Sequence, residues 1–129
     1  MSTLKKLINR MTFCNVYNAQ KIILENIKYG GYIIFIGLHG FSEQFINEDY
    51  KYSIYKSKII FCDSMFPKFL YFFLKFKLPN KSPGPDVLTS LLNNPEISNY
   101  KICFYGGGQN LINKVKKKIF IKKNISNNS

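Results

Sequence analysis

The chain has one arginine, Arg10, and one histidine, His39, among its 129 residues. Acidic residues number 7 and cysteines 3. The lone arginine argues against a sequence-specific reader of DNA, because such proteins lean on arginine and amide side chains at base edges. No reading motif for a specific nucleic acid is present either. One histidine and no paired-cysteine spacing argue against a structural zinc site. The odd cysteine count, with Cys14, Cys62 and Cys103 each in or beside an apolar run, fits buried free thiols in a reducing compartment better than a disulfide framework. The N-terminus lacks the long apolar region and small-residue cleavage site of a secretory signal. The most apolar stretch, 65–78, is too short to span a bilayer and carries Lys68, Lys75 and Lys77. A cytoplasmic protein is the expectation.

What is present is a hydrophobic fraction of 46%, enough for a packed core in one domain. Lys and Arg total 19, which leaves a net charge of +12. That field attracts polyanions: lipid headgroups, nucleotide phosphates or nucleic acid. The lysine-rich run from Lys114 to Lys123 fits a solvated face, or one that also holds the protein near anionic lipid.

Apolar runs and helical periodicity alternate. Asn18 is expected to cap a helix through Gln20, Ile23, Leu24 and Ile27, ended by Gly30-Gly31. Tyr32–Ile36 and Lys58–Cys62 read as buried strands, and Lys101–Tyr105 as a third. Ser42 is expected to cap a helix with Phe41, Phe45 and Ile46 inward. Helices are also expected at Met65–Phe76, with Pro67 in the first turn, at Asp86–Asn93, and from Gln109 to Lys118, before a frayed tail at 124–129. The alternation implies an α/β fold, a mostly parallel sheet flanked by helices and joined by right-handed crossovers.

Chemistry is expected at the carboxyl ends of the strands, where open α/β sheets place their ligands. Asp63 follows the strand at 58–62. It fits a cap on the helix near Met65, or a general base or a sugar-hydroxyl contact. Asp86, behind Pro83-Gly84-Pro85, fits a first-turn charge that favours its helix dipole. His39 follows the strand ending at Ile36; it fits a polar loop residue or a catalytic or substrate contact. Gly106-Gly107-Gly108, with Gln109 behind it, fits a phosphate cradle or a tight turn needing positive φ. The segment 65–77 fits a core helix with solvated lysines, or a helix lying on a membrane interface.

Three of these stretches, in this order and spacing, resemble the WecG/TagA/CpsF glycosyltransferase family over about 11–119. They are Phe61-Cys62-Asp63-Ser64-Met65, Lys77 to Val87 with its Pro-Gly-Pro-Asp core, and Phe104-Tyr105-Gly106-Gly107-Gly108. The resemblance implies a Rossmann-like, three-layer fold. It implies transfer of an N-acetylmannosamine-type sugar from a UDP donor to a polyprenyl-diphosphate-linked acceptor at the inner membrane face, in cell-surface polysaccharide synthesis. No cofactor is implied, since the UDP-sugar is the substrate. Asp63 would be the catalytic base, with His39 beside it. Lys81 (where arginine is usual), Gly84, Asp86, Gly106, Gly107, Gly108 and Gln109 would contact the donor, so positions 63, 86 and 106–108 are expected to converge on one pocket. The family's Thr-x-Asn falls on Phe35 and Gly37, which supply neither side chain. Family members also continue past the helix after the glycine turn, so an incomplete, C-terminally truncated member is the expectation, with homo-oligomers allowed. The alternative is a donor-binding member without transfer activity.

Overall fold

The computed structural model describes residues 3–103 and 105–126, and the chain divides into two compact units, Met1–Ser90 and Leu91–Ser129. The first unit holds a three-stranded, wholly parallel sheet of β1 (Met11–Thr12), β2 (Ile33–Ile36) and β3 (Ile59–Cys62). Their spatial order is β1-β3-β2, so the last strand in sequence is central. Ile34 pairs with Ile60 and Phe35 with Phe61 on one side; Met11 pairs with Ile60 and Thr12 with Phe61 on the other. In a parallel sheet the crossover helices cover both faces, and an unbroken apolar run suits a central strand there. Ile60, Phe61 and Cys62 are accordingly buried.

The first unit's helices are α1 (Thr3–Arg10), α2 (Val16–Asn26), α3 (Leu38–Glu43), α4 (Glu48–Lys56) and α5 (Met65–Lys75), and α6 (Gly84–Asn93) begins in it and runs across the boundary at Ser90. α1 sends Leu7 and Ile8 into a core with Met11, Ile36, Phe41, Ile54, Ile60 and Cys62. Burying a side chain of this size contributes roughly 1.5–3 kcal/mol. The one arginine is structural: Arg10 Nη2 donates to the Ser57 carbonyl at 3.1 Å, and Nη1 to that of Tyr55, at the carboxyl end of α4.

Several local expectations shift by a few residues. Asn15 caps α2, its side chain accepting from Asn18 N at 2.9 Å. The helix expected from Ser42 is two helices, with Asn47 capping α4 and Gly37 preceding α3. Ser42 instead donates to the His39 carbonyl inside α3. Phe41 is buried, but Phe45 and Ile46 are 56% and 83% exposed, because the chain breaks between α3 and α4 where a continuous helix would have turned them inward. α5 runs as expected, with Pro67 in its first turn, where a missing N–H costs no helix bond.

The second unit contains a 3-10 turn, Pro95–Asn99, capped by the Asn94 side chain onto Glu96 N, and α7 (Gln109–Ser126). α7 continues through 124–126, where a frayed end was expected; 127–129 lie outside the described residues. The expected strand Lys101–Tyr105 is not formed at 101–103 or at 105, and those residues are exposed; Phe104 lies outside the described residues. Apolar residues become a strand only when a neighbour supplies hydrogen bonds.

Candidate functional site

The site is built on the carboxyl end of the central strand. β3 ends at Cys62, which delivers Asp63 and Ser64 to the sheet edge, beside the end of β2. Asp63 N donates to the Ile36 carbonyl at 3.0 Å, extending the ladder by one rung and fixing the backbone beneath the carboxylate. Gly37 lies next to it. A methyl group added there would sit 3.7 Å from Ser64 Oγ and 3.9 Å from Asp63 Oδ2.

After α5 the chain returns over this edge. Ser82 N donates to the Cys62 carbonyl at 2.7 Å, and the wholly buried Ser82 Oγ donates to the Cys14 carbonyl at 2.6 Å. Those two bonds tie the loop to the ends of β3 and β1. Two residues later Gly84 N donates to Asp63 Oδ1 at 2.6 Å. The loop thus brings Gly84 onto Asp63, and Lys81, half-buried, precedes Ser82 in the same loop. Gly84 is in ordinary helical conformation, and space is what requires a glycine: a Cβ would stand 3.3 Å from the Phe35 ring. Phe35 is itself stacked on Phe61 at 5.2 Å between centroids.

Asp63 therefore caps a helix, but not the one next to it. Its carboxylate satisfies an orphan amide in the first turn of α6, while α5 begins at Ser64 with no side-chain cap. A carboxylate at a helix N-terminus is stabilised by the dipole and by charge-assisted bonding. Only Oδ1 is held this way. Ser64 Oγ, beside it, is buried without a hydrogen-bonding partner among the described residues. Cys62, just below, donates its thiol to the Ser64 carbonyl at 3.2 Å, and burial pushes that thiol from an ordinary 9.0 up to about 11.

The remaining candidates are placed as follows. His39 lies in the first turn of α3, not in a loop, just past the end of β2, and is exposed. Asp86 is exposed in the first turn of α6, close in sequence to the amide that Asp63 holds. Gly106, Gly107, Gly108 and Gln109 belong to the second unit and are exposed there. Gly106 (φ 112) and Gly107 (φ 71) adopt left-handed backbone, so the tight-turn reading holds at both. Gly108 O accepts from Leu111 N and Ile112 N to open α7, and Gln109 Nε2 donates to Asn113 Oδ1. The structure thus joins Asp63 to the 81–86 loop.

Sequence reasoning missed Ser82 and Ser64 as site-building residues. A serine between a lysine and a proline reads as an exposed loop residue, and no periodic pattern marks it as buried. It also missed the cysteine contrast: Cys62 is buried and Cys14 half-buried, but Cys103 is exposed. Among the described residues no cluster of His, Cys, Asp or Glu could hold a metal, and no helix is long and apolar enough to cross a membrane.

No curated protein and no solved structure matches the chain. The model of the glycosyl transferase WecG/TagA/CpsF family matches residues 1–127, nearly the whole length. With the strand-end aspartate and the Pro-Gly-Pro-Asp loop brought together at one sheet edge, the chain belongs to the WecG/TagA/CpsF family of glycosyl transferases.

Proposed function

We propose that the chain transfers a sugar of the N-acetylmannosamine type from a UDP donor to a hydroxyl of a polyprenyl-diphosphate-linked acceptor, with inversion at the anomeric carbon. The observation that carries this reading is Asp63, half-buried at the end of the central strand, with Oδ1 fixed by Gly84 N and Oδ2 on the Gly37 side. An immobilised carboxylate with an oxygen to spare suits a general base. In the step proposed, Asp63 takes the proton of the acceptor hydroxyl as that oxygen bonds to the anomeric carbon. The bond from that carbon to the diphosphate oxygen breaks, and UDP leaves with the electron pair. Charge develops on the diphosphate as it departs, and cations and amide donors lower the cost.

Lys81 is the proposed cation, being half-buried in the loop that Ser82 anchors. His39 and Asp86, exposed at the starts of their helices, are proposed as outer contacts of the sugar-nucleotide. In the second unit, taken by itself, the Gly106–Gly108 turn and Gln109 are proposed as an anion contact, because bare glycine backbone ahead of a helix exposes amide donors. The setting proposed is the cytoplasmic face of the membrane, in cell-surface polysaccharide synthesis.

The test is sugar transfer from radiolabelled UDP-sugar to a lipid acceptor by wild type and Asp63→Asn, with circular dichroism to confirm folding. Asparagine keeps an oxygen for Gly84 N but is not a base, so transfer should fall by about 100-fold or more while the fold remains. Unchanged turnover would remove Asp63 from the role. One observation favours a second reading: Phe35 is committed to its stack with Phe61 and Gly37 has no side chain, so the family's Thr-x-Asn has no counterpart. Under that reading the chain binds donor without transferring sugar. Calorimetric heat with UDP-sugar, combined with no transfer by wild type, would select it; no heat from a folded protein would sink both.

A further inference from the structure

α5 is apolar on two opposite sides. At about 100° per residue, Pro67, Leu70 and Tyr71 fall on one side, and Phe69, Phe72 and Phe73 on the other. The first side meets the sheet's core: Pro67 is buried, Leu70 and Tyr71 pack on the core cluster, and Tyr71 lies 4.6 Å from Phe13 between ring centroids. Among the described residues the second side is largely uncovered. Phe69 is 49% exposed and Phe73 71%, and Phe76, just past the helix end, is 86% exposed.

Phe76 adds a second, independent mark. It is the non-glycine residue with positive φ among those described, at φ 52 in the left-handed C-cap of α5. Glycine is the relaxed choice there, and a bulky side chain is disfavoured. The site keeps a phenylalanine, and points it into water.

The charges along this segment are all of one sign. No acidic residue occurs from Ser64 to Pro85, while Lys68 and Lys75 lie on one flank of the helix and Lys77 follows it. Lysines beside an aromatic face are the pattern of a helix lying in a headgroup layer, rings toward the acyl chains and ammonium groups toward phosphate. A second copy of the chain fits less well, since it would bring the same lysines and another +12 against them. α5 is also too short and too charged to enter the bilayer end-on.

We propose that the exposed face of α5, with Phe76 at its tip, docks this protein on an anionic phospholipid bilayer. α5 starts directly after Asp63 and Ser64, so docking through it holds the strand-end carboxylate at the membrane surface, where a lipid-linked hydroxyl is found. The docking surface stands apart from the chemistry proposed above. Transfer to a detergent-free, water-soluble acceptor tests the chemistry alone, so either reading can fail without the other.

The experiment is sedimentation of the full chain with vesicles of phosphatidylcholine, with or without phosphatidylglycerol. Wild type should partition onto the anionic vesicles and come off as salt rises, since each lysine near the surface adds to the attraction. Phe73→Ser with Phe76→Ser should weaken partitioning by about tenfold or more, because two rings no longer leave water. Both side chains are exposed, so circular dichroism and Tm should hold. Lys75→Glu with Lys77→Glu should weaken it as well. Wild-type binding by the serine variant would overturn the proposal, as would equal binding to neutral and anionic vesicles. Complete loss on neutralising Lys116, Lys117 and Lys118 instead would move the contact to α7. A wild-type dimer split by the serine variant, without vesicle binding, would make a second copy the occupant.

Discussion

The two ends of the sheet are built from different chemistry. At the carboxyl end a loop is drawn across the strands by polar bonds, from Ser82 to the ends of β1 and β3 and from Gly84 to Asp63. At the amino end there is a pocket of about 120 Å³ lined largely by Ile23, Ile27, Ile33 and Ile59. Asn26 and Lys58 are its polar side chains, and Lys58 Nζ donates to Gly30 O at 3.3 Å and sits 4.9 Å from the Tyr29 ring. The amino-end hollow is mostly apolar and no carboxylate lines it; the carboxyl end has one, oriented, beside a hydroxyl without a partner among the described residues. In parallel sheets, function gathers where strands end and helices begin, because there the orphan amides of helices point toward the ligand. A hollow by itself marks imperfect packing between a helix and strand starts.

The sharpest way to break this comparison is Asp63→Asn, which should lower transfer by about 100- to 10,000-fold, the range attached to a general base. Ser82→Ala comes next. It leaves the Cys14 carbonyl without its partner and should cost about 1–3 kcal/mol in urea unfolding. If the loop is held by that bond, donor affinity should fall too; full stability would show that the loop stays without it. A paired test of the glycines sharpens the picture further. Gly84→Ala should cost about 1 kcal/mol, since its methyl crowds Phe35. Gly37→Ala should stay within about 0.5 kcal/mol, because its backbone is extended and the added group meets only ordinary contacts.

The Cys62 thiol gives a pH test of the same end. Burial raises it from 9.0 to about 11, so the native state holds its proton where the unfolded chain has lost it. Its contribution is complete below pH 9 and is lost as pH climbs toward 11. Stability should fall more steeply across that window in wild type than in Cys62→Ala. Alkylation at pH 8 should modify exposed Cys103 and spare Cys62 until unfolding. The smallest effect belongs to the other end: Lys58→Met should change stability by no more than about 0.5 kcal/mol and leave transfer intact. A large loss of transfer there would overturn the assignment of chemistry to the carboxyl end.

The sheet's main elements were legible because β2 and β3 are continuous apolar runs, and a run bounded by Gly30-Gly31 or by Asp63 has clear ends. β1, only Met11–Thr12, was not, since two residues carry no period. Lys101–Tyr105 has the same look as β2 yet forms no strand where it is described, because composition does not provide a pairing partner. At the site, Asp63 and Gly84 could be picked out singly, whereas the bond between them could not. That bond depends on where the chain returns after α5, and the return is set by Ser82, whose neighbours in sequence give no hint of burial. The break between α3 and α4 hid for a similar reason: Asn47 begins a new helix within what looks like one amphipathic stretch.

The strand order has a consequence for how the chain comes to be folded. β1 and β2 never touch each other; the slot between them belongs to residues 59–62. During synthesis, the first half of the protein can form helices but no sheet at all, and its two strands wait unpaired until the middle one arrives. When it does, both ladders close at once around the segment that ends in the aspartate. A nascent chain halted before Ile59 would be a ready target for chaperones, while one released after the Ser82 loop would carry the sheet already shut.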